Sequence, residues 1–232
     1  MSLQQPELAR LVSVMHRLRT GCPWDAEQTH SSLVHYLVEE TLEVVEAIEV
    51  GSDDQLLEEL GDLLLQVVFH AEIAAETGRF DIEDVARRIA DKLVARHPYV
   101  FADAEVPQDL MASWERAKAV EKGRASALDG IPQRMSALSR AHKVIARARS
   151  HGLDLRQLGL PEPATSHLAA PGAAAPEASP AEASLPAEAL GTELLVLVAR
   201  AEALGIDPEQ AARAALRQLE RRVQQVEGGV GP

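Results

Sequence analysis

Aromatic side chains are scarce in this sequence: Phe, Trp and Tyr together make up 3% of its 232 residues. The hydrophobic fraction is nevertheless 46%, so a packed core must consist mainly of Leu, Val, Ile and Ala, as in helix bundles. Long runs of alternating β-branched residues are also missing. Because Cys22 is the one cysteine, no disulfide can form within the chain. These absences predict an all-α fold without a covalent cross-link.

Positive charge is also in short supply. The chain has 23 Lys and Arg against 36 Asp and Glu, which gives a net charge of −13 at pH 7. Such a chain is unsuited to general nucleic-acid binding, which needs a basic surface. The N-terminal residues lack the apolar core of a signal peptide, and apolar runs are far shorter than the roughly 20 residues that span a bilayer. We therefore expect a soluble, cytoplasmic protein with neither nucleic acid nor a membrane as a partner.

Apolar periodicity and punctuating Gly and Pro residues predict six helices before residue 155. Their expected spans are 6–19, 31–50, 53–77, 81–97, 109–122 and 134–150. The expected N-terminal caps are Ser31 or Ser32 for the second helix, Asp53 for the third, and Asp81 paired with Asp84 for the fourth.

The composition changes after the sixth helix. Residues 161–189 contain six of the thirteen prolines and many alanines, which is typical of a low-complexity linker. A helical tail follows, and its segment 190–195 aligns with 60–65 as an imperfect internal repeat. We therefore predict a first domain at 1–155, an Ala/Pro-rich linker at 156–189 and a degenerate second helical repeat at 190–232.

One acidic segment stands out. From Ser31 to Gly78 there are twelve Asp and Glu residues and no Lys or Arg. On a helical wheel the acids at 39, 40 and 43 border the apolar face of the second helix. Those at 59 and 62 share one face of the third, and a short turn between the helices favours antiparallel packing. The facing carboxylates need a counter-charge, and Mg²⁺ is the expected one, with Mn²⁺ as a substitute.

Two other interpretations of this acidic segment stay open. It could be a solvated face that only keeps the protein soluble. It could also belong to a di-iron carboxylate bundle, which uses a Glu-x-x-His motif on each of two helices. The chain offers that spacing only at Glu27 and His30, ahead of the second helix.

The spacing of the acids carries a family resemblance. Glu39-Glu40-x-x-Glu43 followed by Glu59-x-x-Asp62 resembles the EExxE…ExxD motif of the MazG nucleoside triphosphate pyrophosphohydrolases. Further segments that resemble this family occur in the same order, at 21–29, 59–64, 96–101 and 114–118. Together they cover residues from about 8 to 152 almost continuously, and the combination is far more specific than the EExxE motif alone.

The resemblance implies a dimer of all-α bundles that hydrolyses an NTP or dNTP to the monophosphate and pyrophosphate with Mg²⁺. The metal ligands that it implies are Glu40, Glu43, Glu59 and Asp62. It makes Glu39 a further ligand or the base that orients the attacking water, so Glu39 and Glu43 are the candidate catalytic residues.

The resemblance also implies a set of substrate-binding residues. Lys92 and Arg96 would hold phosphates, Trp114 would stack on the base, and Lys118 would reach a phosphate. Trp114 could instead be a half-buried packing residue. The rival functions are a narrower enzyme of the same superfamily, acting on one dNTP or a phosphoribosyl nucleotide, and a non-catalytic nucleotide-binding stress regulator.

The tail departs from the family's duplicated form. Ala189 and Thr192 stand where the first copy has Glu59 and Asp62. The tail is therefore predicted to serve packing or oligomerisation, and deletion of residues 161–232 should leave hydrolysis largely intact.

Overall fold

The computed structural model describes residues 6–123, 126–160 and 187–228, and every regular element in these ranges is a helix. This confirms the predicted all-α fold. The chain forms two compact units, Met1–Pro107 and Gln108–Pro232. None of the described helices is both long and apolar enough to cross a membrane. The cytoplasmic location stays a prediction.

The first unit is built from six helices. They are α1 (Pro6–Gly21), α2 (Pro23–Glu27), α3 (Val34–Val50), α4 (Asp53–Ala75), α5 (Ile82–Arg96) and α6 (Pro98–Phe101). α3 and α4 pack along each other as an antiparallel hairpin, and α1 packs on α4.

Capping decides where these helices begin. α5 starts as predicted, because Asp81 and Asp84 form a reciprocal capping box. The predicted cap of α4 was wrong by one residue: Ser52 is the cap, and its side chain and backbone pair with Gln55. The predicted serine cap of α3 was also wrong, since α3 begins at Val34 without a side-chain cap. Ser32 instead pairs reciprocally with Thr29, so that its hydroxyl serves the turn before the helix.

The core of the first unit lies where α1, the start of α3 and the second half of α4 meet. Its buried residues are Met15, Leu33, Val68, Phe69 and Ile73. Burying such apolar side chains stabilises a fold by about 1.5–3 kcal/mol each. This core fixes the register of the α3–α4 hairpin.

A buried arginine ties three segments of the first unit together. Arg19 donates two hydrogen bonds of 2.6 Å to the carboxylate of Glu76, at the end of α4. It also donates to the backbone carbonyls of Asp25 and Gln28. The hydrogen bond from Arg19 lowers the pKa of Glu76, so the pair is charged at neutral pH.

The second unit contains α7 (Leu110–Glu121), α8 (Ala137–Ser150), a 3₁₀ turn (Leu155–Leu158), α9 (Ala187–Ala203) and α10 (Pro208–Gly228). Val198 and Ala199 of α9 pack into one buried cluster with Ile145 and Ala148 of α8. The tail therefore shares a core with α8. The predicted linker lies mostly outside the described residues, at 161–186, and the assignment of catalysis to residues 1–155 stays a prediction.

Candidate metal and nucleotide site

The α3–α4 hairpin brings together carboxylates that are distant in sequence. One carboxylate oxygen from each of Glu40, Glu43 and Glu59 lies within 4.8 Å of the other two. Glu40 and Glu43 are on the same face of α3, and antiparallel packing places Glu59 of α4 opposite them. These are three of the five acids that the sequence pattern singled out.

The electrostatics of the cluster reflect this crowding. Partial burial raises the pKa of Glu40, and the nearby charges of Asp62, Glu43 and Glu39 and a hydrogen bond with Glu43 raise it further. The pKa of Glu59 is also raised, first by desolvation and then by the charges of Glu43, Glu58 and Asp62. Both carboxyls therefore hold protons more tightly than isolated glutamates, as expected for partly desolvated carboxyls among like charges.

The other two predicted acids lie beside the cluster. Asp62 is half-buried on α4 and Glu39 is exposed on α3. The charges of both residues help to raise the pKa of Glu40, although neither residue belongs to the set of three within 4.8 Å. Their role as further ligands stays a prediction.

A groove of about 290 Å³ adjoins the cluster at the α3–α4 turn. Its lining includes Glu43 and Glu59, together with Glu46 and Gln55. Glu46 lies outside the EExxE…ExxD motif. The structure shows that Glu46 shares a groove with two motif acids, which its position one turn after Glu43 could have indicated.

The donor set fits a hard divalent cation. Mg²⁺ takes oxygen ligands at about 2.1 Å, so oxygens on opposite sides of the ion are about 4.2 Å apart. The cluster's spacing of up to 4.8 Å is close to that size. All three donors are carboxylates, and the segment from Ser31 to Gly78 contains no Lys or Arg to neutralise them. These residues could hold Mg²⁺ or Mn²⁺.

The predicted phosphate-binding residues of the first unit lie on α5. Lys92 lines a second groove, of about 470 Å³, with Arg79, Phe80 and Arg88. Arg96 is half-buried in the last turn of α5. Arg88 therefore shares a groove with Lys92, while neither residue lines the carboxylate groove.

The predicted base-stacking residue belongs to the second unit. Trp114 and Lys118 are one turn apart on α7, and the Lys118 ammonium lies over the Trp114 ring, 5.4 Å from its centroid. Lys118 therefore covers one face of the ring that the prediction assigned to a nucleobase. The contribution of both residues to substrate binding stays a prediction.

Aromatic and imidazole groups near the hairpin form contacts that the sequence did not predict. Trp24 is 50% exposed and meets Tyr36 edge to face, with ring centroids 5.9 Å apart. His30 contacts His70, with their Nδ1 atoms 2.8 Å apart. The two histidines are forty residues apart in sequence, so no local motif could have indicated the contact.

The fold and the site together are those of an all-α protein with a carboxylate-rich candidate metal site on a helical hairpin. A family model described as the MazG nucleotide pyrophosphohydrolase domain matches residues 28–101, which include all five acids of the motif. Together with relatives that are 42% identical over as much as 95% of the chain, this match shows that the chain belongs to the MazG nucleotide pyrophosphohydrolase family. The predicted family and its class of enzyme are thereby confirmed.

Relatives match most of the chain. A nucleoside triphosphate pyrophosphohydrolase of Escherichia coli K12 is 42% identical over 230 residues, which cover 95% of this chain and 87% of the relative. The nucleoside triphosphate pyrophosphohydrolase/pyrophosphatase MazG of Thermotoga maritima is 42% identical over 222 residues, or 94% of this chain and 84% of the relative. A Mycobacterium tuberculosis nucleoside triphosphate pyrophosphohydrolase is 50% identical over 149 residues, or 63% of this chain and 46% of the relative.

Proposed function

We propose that this protein hydrolyses nucleoside triphosphates, NTP or dNTP, to the monophosphate and pyrophosphate at the α3–α4 carboxylate cluster. The observation that carries the proposal is the convergence of Glu40, Glu43 and Glu59 within 4.8 Å. The names of the E. coli and T. maritima relatives support the substrate class. Removal of damaged or surplus nucleotides is the expected role in the cell.

In this proposal the three clustered carboxylates hold Mg²⁺, and Asp62 completes the ligand set from one turn further along α4. A cation held there would supply positive charge against the triphosphate and would lower the pKa of a bound water molecule. Glu39 is a further ligand or accepts the proton of that water, because its exposed carboxylate adjoins Glu40. Glu43 lies at the centre of the proposed site, since its charge contributes to the raised pKa of both Glu40 and Glu59.

The polyphosphate needs further positive charge. Lys92 and Arg96 supply it from α5, and Arg88 adds to it because it lines the same groove as Lys92. Phe80 gives that groove an aromatic wall. Trp114 is proposed to stack on the base, with Lys118 moving from the ring to a phosphate.

A homodimer is proposed on the evidence of unpartnered apolar stripes on the α3–α4 hairpin. On α4 the stripe lies on the side away from Glu59, and it continues on α3. Its members are 36–73% exposed: Leu57, Leu60, Leu64 and Val67 on α4, with Val34, Val38, Leu42 and Ile48 on α3. Many exposed apolar side chains on two neighbouring helices are typical of a protein–protein interface, and a second copy is the partner that the family resemblance implies.

A panel of NTPs and dNTPs with Mg²⁺, scored for pyrophosphate release, tests the reaction. We expect pyrophosphate and the monophosphate as first products, and none after chelation of the metal. Orthophosphate as the first product would contradict the proposal, since a different bond would then be cut. A preference for one dNTP would favour the narrower enzyme, and binding without turnover would favour the non-catalytic regulator.

Two adjacent glutamates provide a matched pair for locating the site. Glu59 belongs to the cluster, whereas Glu58, its neighbour on α4, is exposed and outside it. Glu59→Gln should lower kcat/KM by at least about 100-fold, the scale of removing one group that acts on the transition state. Glu58→Gln should retain activity. Equal effects of the two changes would place the reaction elsewhere.

A further inference from the structure

A chain of three hydrogen-bonded side chains connects the turn after α4 with the interior of the α3–α4 hairpin. Arg79 approaches His30 at 2.8 Å, from its guanidinium NH2 to the imidazole Nε2. His30 in turn approaches His70 of α4, with 2.8 Å between the two Nδ1 atoms. The imidazole rings are nearly parallel, at 8°, with centroids 5.1 Å apart. An in-plane hydrogen bond between the rings accounts for this geometry.

The first donor in this chain fixes the tautomer of both histidines. A guanidinium only donates, so Nε2 of His30 must accept from Arg79. His30 therefore carries its proton on Nδ1 and donates it to Nδ1 of His70. His70 must then carry its own proton on Nε2. Burial, with the neighbouring His30, lowers the pKa of His70, which keeps this ring neutral at neutral pH.

The hydrogen-bonded chain ends in a donor without a partner, on the same face of α4 as an acceptor without a partner. Nε2 of His70 is enclosed and has no partner, and the same is true of Oε1 of Gln66. Residues four apart lie on one side of a helix, so both side chains project from the same face of α4. An enclosed polar group without a partner destabilises the fold, because it has lost its hydrogen bonds to water. A side-chain rotation or one bridging water that joins the two would satisfy both groups.

Gln66 lies on the same face of α4 as the carboxylate site. At about 100° per residue, Gln66 points within about 20° of Glu59 and follows Asp62 by one turn, or about 6 Å. Its side chain is nine-tenths buried, with 5% of the residue exposed. A glutamine whose oxygen is occupied by His70 can present only its amide N–H groups to whatever lies beside Asp62.

We propose that Gln66 is a substrate-positioning residue whose amide N–H donates to an oxygen of the nucleoside half of the substrate, while the Arg79–His30–His70 chain holds its amide oxygen. This rests on the proposed binding of the triphosphate at the carboxylate cluster. In this arrangement the α-phosphate lies at the cluster and the nucleoside, which is attached directly to it, extends along α4 from Asp62 towards Gln66. The oxygen that it reads is either a sugar oxygen or a base carbonyl.

Gln66→Met tests the contact, because methionine keeps the length of the side chain but cannot form the hydrogen bond. The assay measures kcat and KM for a sugar series, NTP, dNTP and 2′,3′-dideoxy-NTP, and for a series of four bases. We expect kcat/KM to fall about tenfold for the best substrates, the scale of one hydrogen bond, and discrimination within one series to disappear. The series in which discrimination disappears shows whether Gln66 contacts a sugar oxygen or a base carbonyl. An equal loss for every substrate, or no loss, would overturn the proposal.

His70 tests the supporting chain. His70→Phe should lower kcat/KM in the wild-type background but have no further effect in the Gln66→Met background, because both changes remove the same oriented amide. His70→Gln, which restores a donor, should recover part of the activity. If the losses in the double variant are additive and His70→Gln recovers no activity, His70 has only a packing role. That result would contradict the proposal that the Arg79–His30–His70 hydrogen bonds orient Gln66.

The tautomers can be measured without any variant. In ¹⁵N-histidine NMR of the full chain, His30 should be protonated on Nδ1 and His70 on Nε2. The opposite tautomer of His70 would remove the donor and overturn the proposal even if the Gln66 variant fails to fold. If the wild type releases no pyrophosphate, the proposed function is wrong. If the wild type does release it and Gln66→Met has the same kcat and KM as the wild type for every substrate, only the proposed role of Gln66 is wrong.

Discussion

Replacing Glu43 by glutamine should stabilise the metal-free protein while it abolishes hydrolysis. Glu43 is the common neighbour in the cluster, since its charge raises the pKa of both Glu40 and Glu59. Glutamine has nearly the same shape and can donate a hydrogen bond to Glu40. The change therefore removes repulsion from the metal-free site and a ligand from the metal-bound one. Opposite effects on stability and activity are expected of a residue kept for function.

The size of the stabilisation follows from the geometry. Oxygens of Glu40 and Glu43 lie within 4.8 Å of each other. At that separation two unit charges repel by roughly 1 kcal/mol in water and by roughly 3 kcal/mol at an effective dielectric constant of 20. The lower figure applies because Glu43 is exposed. For a chain of this length it corresponds to a rise of about 2–4 °C in Tm.

Thermal unfolding with a chelator, with Mg²⁺, and over a range of pH measures this effect. The raised pKa of Glu40 means that its ionisation destabilises the folded state as the pH rises. The advantage of Glu43→Gln should therefore be present at neutral pH and disappear in acid. Mg²⁺ should raise Tm of the wild type more than that of the variant. A variant that is less stable without metal, or that retains full hydrolysis, would refute the reasoning.

Three further predictions concern the rest of the chain. Arg19→Leu should lower the free energy of unfolding by about 3 kcal/mol in denaturant titrations, because it leaves Glu76 and two backbone carbonyls without their donor. Because the pKa of Glu76 is lowered, the part of this difference that is due to the ion pair should be lost as the pH falls through that pKa, so the difference should decrease; a difference that is constant with pH would contradict the ion pair. Val198→Asp should abolish hydrogen-exchange protection of α8, which packs on Val198, while pyrophosphate release continues; lost activity with the first unit still folded would show that the tail is needed. Leu64→Asp should give a monomer in light scattering, and an unchanged mass would exclude the proposed dimer surface.

Much of the fold could be predicted because it depends on local signals. The capping box that Asp81 forms with Asp84, for example, joins residues three apart in the sequence. The misplaced caps of α3 and α4 have a physical reason as well. Several hydroxyl and carboxyl side chains near the start of each helix could act as its N-terminal cap. At α4 the cap is Ser52, because Gln55 three residues later completes a reciprocal pair with it.

The site was only partly accessible from the sequence. The spacing of the five acids, together with the resemblance, singled out the cluster because acids three or four apart share a helix face. Spacing could not decide that Asp62 stands outside the closest set or that Glu46 shares the groove with Glu43. It also gave no indication that Lys118 lies over Trp114, since one spacing allows several side-chain directions.

By itself the sequence determined the helical fold, the excess of acid without nearby base, and the family, because periodicity, charge and motif are written along the chain. Tertiary structure alone decided which carboxylates meet, because that depends on the register in which α3 packs against α4. It also decided that Arg79, His30 and His70 form one chain of hydrogen bonds. Those contacts join residues up to forty-nine positions apart, and only the packed core brings them within hydrogen-bonding distance.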